Sequence, residues 1–319
     1  MTPDADEQPS KKRPSILRWV LTVVAVALLA FFLWDRRDEL SRAFHTSWEN
    51  LALLILLNAV GQTMNATEFW MLYRAGGAPV RWLDNYSSFN AAQLGNYLPM
   101  QAGSVYRMHF HRRIDGVSFP RSLTTYAQNL VITVAAGGVV GVIGVCATAA
   151  FTGRDFSVVM ALVFVAMLSG AAFFAFVPLP HARWLPGRVQ HWWQDFHSGW
   201  ELVRQNPRSA AAVLGVELGR MLVSAARLQI AFVVLGVHAP FVLYLVLAPV
   251  ASVSTILAIT PGAIGIREGA IAAAALAVNF KLPTGLLAAS VDRGASLLVV
   301  IVLGLIGYGH MTSRLSKHA

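Results

Sequence analysis

Charged residues and cysteine are both scarce in this sequence. Only 13% of its 319 residues are charged, about half of the ~25% typical of soluble domains, which argues against a water-soluble globular protein. The single cysteine, Cys146, excludes an internal disulfide, and its position in an apolar run favours a buried structural thiol. The sequence also contains no phosphate-binding loop, nucleophile elbow or metal-ligand cluster. It therefore predicts no metal site, no cofactor and no enzyme activity.

Apolar sequence is what the chain has in abundance. Hydrophobic residues make up 56% of it, and the mean hydropathy is +0.56. Several stretches approach the ~20 residues needed to span a membrane. We predict an all-α polytopic membrane protein with six full crossings, at about 16–34, 50–73, 122–150, 157–178, 209–235 and 285–308. The first is interpreted as a retained anchor, because no small-residue cleavage site follows it.

Two proline-glycine breaks interrupt apolar sequence, one in each half of the chain. The broken segments cover about 86–112 and 241–280, and arms of that size are short for a ~30 Å core at ~1.5 Å per residue. We predict two re-entrant hairpins, although two full crossings per segment would fit the same orientation. Matched breaks of this kind indicate a transport site built from discontinuous helices. The residues assigned to the breaks are Pro99, Gly103, Pro261, Gly262 and Gly265.

The basic residues predict the orientation of the chain. With both termini cytoplasmic, sixteen Lys and Arg residues fall inside and five outside, as the positive-inside rule expects. The first hairpin then enters from the cytoplasm and the second from outside, so the halves at about 50–178 and 209–308 are inverted. This topology accounts for the net charge of +9, and nucleic acid is not an expected partner.

The predicted domain plan is a single transmembrane domain in the inner membrane. It extends over residues 16–310, between cytoplasmic tails at 1–15 and 311–319. A tryptophan-rich stretch at about 184–205 predicts a helix lying in the cytoplasmic interface. A docking surface for another protein is the alternative interpretation of that stretch.

Four polar residues of the segment 209–235 share one helical face. Glu217, Arg220, Ser224 and Arg227 are spaced three, four and three residues apart. Charged side chains inside a membrane are costly and mark function, and arginine binds phosphate through two parallel N–H groups. The structural alternative is an internal Glu217–Arg220 ion pair, which leaves Arg227 without a local partner.

The first half carries a second polar face. Asn58, Gln62, Asn65 and Glu68 recur at helical spacing in the segment 50–73. They suit a polar path across the membrane. Polar side chains also hold membrane helices together, and the sequence does not decide between these two roles.

Two adjacent charged pairs lie in the second half, Arg267-Glu268 and Asp292-Arg293. Neighbouring residues point to different sides of a helix, so these side chains need partners elsewhere. A half-helix beginning near Arg267 would offer backbone N–H groups and a positive dipole end to an anion. The structural alternative is that Glu268 caps this half-helix.

These residues carry a resemblance to a known family. The pattern Leu98-Pro99-x-x-Ala102-Gly103 with Arg107, then Pro261-Gly262-x-x-Gly265-x-Arg267-Glu268, then Arg293, resembles the flippase-like transmembrane family. That family comprises the membrane region of lysylphosphatidylglycerol synthase and stand-alone bacterial inner-membrane proteins. The resemblance covers about residues 15–310. It departs at Ser104, where relatives often have an acidic residue, and at Asn129, where they often have arginine.

The resemblance and the intramembrane charges together predict translocation or binding of an anionic lipid, such as a phospholipid or a polyprenyl-phosphate carrier. The expected partners are membrane lipids, and oligomerisation is left open. One alternative is a non-transporting scaffold for a lipid-modifying enzyme; another is a membrane-embedded lipid transferase. The predicted headgroup-binding residues are Arg107, Arg220, Arg227, Arg267 and Arg293. The predicted supporting residues are Glu68, Gln62, Asn65, Asn129, Glu217, Glu268 and Asp292.

Overall fold

The computed structural model describes residue 34 and residues 48–97, 102–152, 158–176, 186–256 and 260–317. The predicted crossing 16–34 lies outside the described residues apart from Trp34, and so does Pro99. The described part is built from ten α-helices. This confirms the all-α class.

Six helices form the first part of the fold. They are α1 (Trp48–Ala75), α2 (Trp82–Gly95), α3 (Ala102–Ile114), α4 (Phe119–Thr152), α5 (Val158–Phe176) and α6 (Gly187–Arg204). The predicted crossings 50–73, 122–150 and 157–178 fall on α1, α4 and α5. The broken segment at 86–112 is two short helices, α2 and α3, as predicted.

Four helices form the second part. They are α7 (Pro207–Val234), α8 (Phe241–Ser254), α9 (Ile266–Ala277) and α10 (Leu282–Ser316), with a 3-10 turn at Pro261–Ala263 between α8 and α9. The predicted crossings 209–235 and 285–308 fall on α7 and α10. The first arm of the second broken segment, which the sequence predicts to run from Phe241 to Ile259, is shorter in the structure, because α8 ends at Ser254.

The two sets of helices have the same order and matched lengths. Helices α1 and α7 each have 28 residues, and α2 and α8 each have 14. Helices α3 and α9 have 13 and 12 residues, and α4 and α10 have 34 and 35. At ~1.5 Å per residue, α2 and α8 are each ~21 Å long. Neither can cross a ~30 Å core alone.

Glycines at corresponding positions make corresponding contacts between the halves. Helix α4 packs on α8, where a Cβ on Gly144 would lie 2.9 Å from the Leu245 carbonyl carbon. Helix α10 packs on α2, where a Cβ on Gly307 would lie 2.3 Å from the Ser87 carbonyl oxygen. Each long helix therefore packs closely on the short helix of the other half. This reciprocal packing joins the two halves.

Four described helices are long and apolar enough to cross a membrane: α4, α5, α7 and α10. Helix α1 is long enough, but it carries the polar face at Asn58–Glu68. Large apolar side chains such as Leu162 and Leu305 are more than 60% exposed, as expected for surfaces that face lipid. The thiol of Cys146 is also exposed, so the expectation of a buried thiol is wrong: the residue faces away from the helix contacts of α4.

Helix α6 corresponds to the tryptophan-rich stretch. Trp192, Phe196 and Trp200 stack at four-residue spacing, with ring centroids 6.1 and 6.4 Å apart. The helix is attached to α4, because Gln128 donates a hydrogen bond to the Gly199 carbonyl at 3.2 Å and Thr124 donates one to the Phe196 carbonyl at 3.0 Å. The predicted helix is present. Its position in the membrane interface remains a prediction.

Candidate functional site

A cavity of about 430 Å³ lies where the two halves meet. All eight of the matched helices, or the turns that follow them, contribute to its lining. The five arginines predicted from the sequence all line it: Arg107, Arg220, Arg227, Arg267 and Arg293. None of its described lining residues is Asp or Glu. The wall of the cavity is therefore basic.

Arg107 is the arginine contributed by the first half. Its side chain is 1% exposed, and no described residue forms an ion pair with it. The guanidinium donates to Asn85 Oδ1 at 2.8 Å and to the Tyr126 hydroxyl at 3.3 Å. It also lies 4.3 Å from the centroid of the Phe69 ring. Cation–π contacts and neutral acceptors support this charge, but they do not neutralise it.

Asp292 on α10 holds two of the arginines. Arg227 donates to it through Nε at 3.0 Å and Nη2 at 2.9 Å, and Arg267 donates through Nη2 at 2.5 Å. The carboxylate is 1% exposed. In the sequence, Arg227 has no local partner. In the structure its partner is Asp292 on α10, 65 residues further along the chain.

The Glu217–Arg220 ion pair predicted as the structural alternative is present. Arg220 donates through both Nε and Nη2 to the two oxygens of Glu217. Glu217 is completely buried, whereas Arg220 remains 18% exposed and lines the cavity. The ion pair and the cavity-facing position therefore coexist. The Glu217 carboxylate is thus buried next to Arg220, while Arg220 itself lines the cavity.

Arg293 and Glu268 form the third charged group. Arg293 Nε lies 3.2 Å from Glu268 Oε1, and its Nη2 donates to the Gly262 carbonyl. Glu268 Oε2 accepts from the Gly265 N–H at 2.7 Å, so Glu268 does cap α9, as in the structural alternative. This cap already occupies one backbone N–H that the sequence offered to an anion.

The tips of the two broken segments touch. The Gly262 N–H donates to the Asn96 carbonyl at 3.2 Å, and a Cβ on Gly262 would lie 2.6 Å from the Tyr97 ring. Gly262 has a φ of 60°, a backbone conformation that favours glycine. A side chain at this position would therefore prevent the contact between the tips.

The other break glycines have structural positions. A Cβ on Gly103 would lie 2.0 Å from the Ala92 carbonyl oxygen, so glycine allows α3 to pack on α2. Gly265, with a φ of 83°, precedes α9. Pro261 begins the 3-10 turn. Neither Gly103 nor Gly265 is among the described residues that line the cavity.

The polar face of α1 is divided between the cavity and the buried interior. Gln62 and Asn65 line the cavity. Asn58 and Glu68 are buried; Asn58 Nδ2 donates to Asp292 Oδ1 at 3.4 Å, and Glu68 Oε1 accepts from Asn129 Nδ2 at 2.7 Å. Asn129 itself lines the cavity. The supporting residues therefore fall into a lining set and a buried set.

Several residues that line the cavity are not among the predicted site residues. Asn96, Tyr97 and Ser104 flank the first break, and Ser252 and Thr255 precede the second. Ser104 donates to Asn96 Oδ1 through its backbone N–H and its hydroxyl, at 3.0 and 3.2 Å. Polar residues within a few positions of each break would have been the signal for finding them.

The fold and the cavity define the class: this is a multi-pass helical membrane protein with a basic cavity inside its helix assembly. The family model for the lysylphosphatidylglycerol synthase TM region matches residues 16–304. The chain therefore belongs to that family, which confirms the resemblance seen in its motifs. No curated protein matches the chain.

Proposed function

We propose that this protein binds the headgroup of an anionic lipid in the arginine-lined cavity and moves it between the leaflets of the inner membrane. The observation that carries the proposal is the convergence of five arginines on a cavity whose described lining contains no carboxylate. Charge inside a membrane is costly unless function requires it. An anion in the cavity would balance the excess positive charge.

Counting charges supports a monovalent or divalent anion. Three buried carboxylates, Glu217, Glu268 and Asp292, contact four of the five arginines. This leaves two positive charges, and a buried fourth carboxyl at Glu68 reduces them to one when it is ionised. A phosphodiester carries one negative charge. A guanidinium group can bind two oxygens of a phosphodiester through two parallel N–H groups.

The remaining wall suits an amphiphile better than a free phosphate ion. Leu130, Ile256 and Val300 line the cavity together with the arginines, and Leu130 and Ile256 are about 40% exposed. A volume of about 430 Å³ falls within the ~300–1,000 Å³ of small-molecule sites. A headgroup fits there while its acyl chains remain in lipid.

The matched halves support movement as well as binding. Inverted repeats with broken helices around a central site occur in many transporters, and access alternates as one half moves against the other. Among the described residues, the tips of the two broken segments are joined beside the cavity by the backbone hydrogen bond from Gly262 to Asn96. Separation of the tips would open a polar path past the arginines.

Reconstitution tests this proposal. The assay follows fluorescent phosphatidylglycerol in phosphatidylcholine vesicles, with fluorescent phosphatidylcholine as the neutral-headgroup probe. We expect wild-type protein to move the anionic probe faster than protein-free vesicles do, and faster than it moves the zwitterionic probe. Wild-type protein that leaves the anionic probe at the protein-free rate would overturn the proposal for this class of lipid.

A matched pair of double variants separates the cavity from general charge effects. Glu217→Gln with Arg220→Ala removes an i,i+3 ion pair at the cavity, and Glu201→Gln with Arg204→Ala removes one with the same spacing on α6. Each double variant is charge-neutral overall. We expect the cavity variant to slow the anionic probe by about tenfold or more, as for loss of ~1.4 kcal/mol, and the α6 variant to behave as wild type. Equal rates in the two variants would contradict the role of Arg220.

Mass spectrometry of the vesicle lipids belongs to the same experiment. Unchanged lipid masses are expected for a transporter. A new lipid product would instead indicate a transferase, and the scaffold alternative would be favoured if a lipid-modifying enzyme copurified while the probe did not move.

A further inference from the structure

Two buried carboxyl groups from opposite halves face each other beside the cavity. Glu68 on α1 and Glu217 on α7 are both completely buried. Helix α1 packs on α7, where a Cβ on Gly219 would lie 2.9 Å from Met64 Cε. Glu68 lies one helical turn beyond Met64, and its carboxyl interacts electrostatically with that of Glu217. Two carboxylates at such close range repel each other strongly in a low-dielectric interior.

Among the described residues, Glu217 accepts more hydrogen bonds than Glu68 does. Glu217 accepts two hydrogen bonds from Arg220, one on each oxygen. Glu68 accepts one, from Asn129 Nδ2 to its Oε1 at 2.7 Å, while its Oε2 is buried with no partner among the described residues. The charged groups that act on Glu68 are Glu217 and Arg220, both from α7, and α4 supplies the neutral amide of Asn129.

One proton would remove both the repulsion between the two carboxylates and the lack of a partner at Glu68 Oε2. If Glu68 carries it, the Glu68 carboxyl becomes a donor toward Glu217, the repulsion disappears and the orphan oxygen gains a partner. Paired acids that share one proton are a known solution to this problem. The charge of the three-residue group Glu68, Glu217 and Arg220 is then zero instead of −1.

We propose that Glu68, facing Glu217, is a proton-binding site that is linked to anion binding in the cavity. This inference rests on the proposed function, because the linked ligand is the anionic headgroup. Arg220 and Asn129 are the links: both line the cavity, and both contact the carboxyl pair. When the proton leaves Glu68, Arg220 interacts with two carboxylates instead of one. Its charge is then less available to an anion.

The sign of the linkage follows from charge. Binding a proton at Glu68 raises the net charge near the cavity by one, so it strengthens anion binding. By reciprocity, a bound anion strengthens proton binding by the same factor. The proton and the anionic headgroup therefore move together, and a proton gradient becomes a driving force for lipid movement.

The test combines a measurement of the proton with a measurement of the anion. Infrared spectroscopy of the purified full-length protein detects the carbonyl band of a protonated carboxyl group. Binding of a short-chain fluorescent phosphatidylglycerol in neutral detergent is followed from about pH 8 to about pH 5.5. With one linked proton, the logarithm of the dissociation constant changes with pH by at most about one per pH unit.

Glu68→Gln is the decisive variant, since its amide keeps the size of the side chain and can donate to Glu217. We expect it to remove the infrared band and to bind the probe at all pH values about as tightly as protonated wild type. The wild-type dissociation constant should fall about tenfold between the two ends of the pH range, for one unit charge removed near the site. The control is His310→Gln, which removes a titratable side chain that pairs with Asp84 away from the cavity; it should titrate as wild type.

Several results would overturn the inference. A carboxyl band that persists unchanged in Glu68→Gln would place the proton elsewhere, and equal pH slopes in wild type and Glu68→Gln would remove the linkage. If Glu68→Gln cannot be purified, wild-type protein alone provides the test: the absence of any protonated-carboxyl band across the pH range would overturn the inference. Wild-type protein that shows the Glu68 band but binds no anionic probe would refute the proposed function and the linkage, while upholding the proton site.

Discussion

Asp292→Asn is the substitution that tests the charge network most directly. Asp292 is the only carboxylate that pairs with Arg227 and Arg267 among the described residues, and both contacts are buried. Asparagine keeps the size of the side chain and one carbonyl acceptor. Its amide, however, presents N–H donors to guanidinium groups that also only donate.

The expected magnitude follows from these contacts. An ion pair at ~4 Å and an effective dielectric of ~20 contributes ~4 kcal/mol before desolvation, and Asp292 makes two such contacts. Removing one partner of a buried ion pair typically costs ~3–5 kcal/mol, because the charge left behind is buried without compensation. We therefore expect Asp292→Asn to lower the free energy of unfolding by ~3–5 kcal/mol.

Equilibrium unfolding in mixed micelles with increasing SDS measures this effect. The control is Asp195→Asn on α6, where the carboxylate is exposed and accepts from Ser118 at 3.2 Å; surface changes of this type usually stay within ~0.5 kcal/mol. Adding Arg267→Met to Asp292→Asn should recover at least ~1 kcal/mol, because one uncompensated charge is then removed. A loss below ~1 kcal/mol for Asp292→Asn, or simple additivity in the double variant, would contradict the stabilising role of Asp292 between Arg227 and Arg267.

Two further predictions concern the hairpins. Gly103→Val should strongly reduce the yield of folded protein, because its side chain would overlap the backbone of α2. Gly170→Val on α5 has open space around it and should be tolerated; equal yields of the two variants by size-exclusion chromatography would contradict the close packing at Gly103. In a Cys146→Ser background, a membrane-impermeant thiol reagent should label Arg113→Cys only from the cytoplasm and Lys281→Cys only from outside. Labelling of both from one face would contradict the inverted halves.

The sequence predicts the breaks and the helix order well, because these depend on local physics. The adjacent Pro261 and Gly262 disfavour a continuous helix, and Gly262 adopts a positive φ there. Arms near 14 residues cannot span hydrocarbon. The end of α8 at Ser254 was missed, because the residues that follow, Thr255 and Ile256, remain compatible with an apolar helix. Local pattern does not determine where a helix stops when no strong breaker is present.

The arginines of the cavity were also recognisable from sequence, since a charge within an apolar segment requires a reason. Their partners were not. Asp292 reaches Arg227 across 65 positions and Arg267 across 25, and both contacts depend on how α7, α9 and α10 pack. The proximity of Glu68 to Glu217 likewise depends on the contact between α1 and α7. Helical periodicity predicts which face of its own helix a residue occupies. It does not predict which other helix packs against that face.

The unequal lengths of the hairpin turns carry a consequence for the resting state. Residues 96–101 connect α2 to α3, whereas the longer stretch 255–265 connects α8 to α9, although the helices on either side match closely. In a perfectly symmetric protein, exchanging the conformations of the halves would produce an opposite-facing state of equal energy. Here the same exchange would require the shorter connection to adopt the conformation that the longer connection now has. Under the alternating-access function proposed above, we therefore expect the two access states to be unequally populated in the absence of ligand.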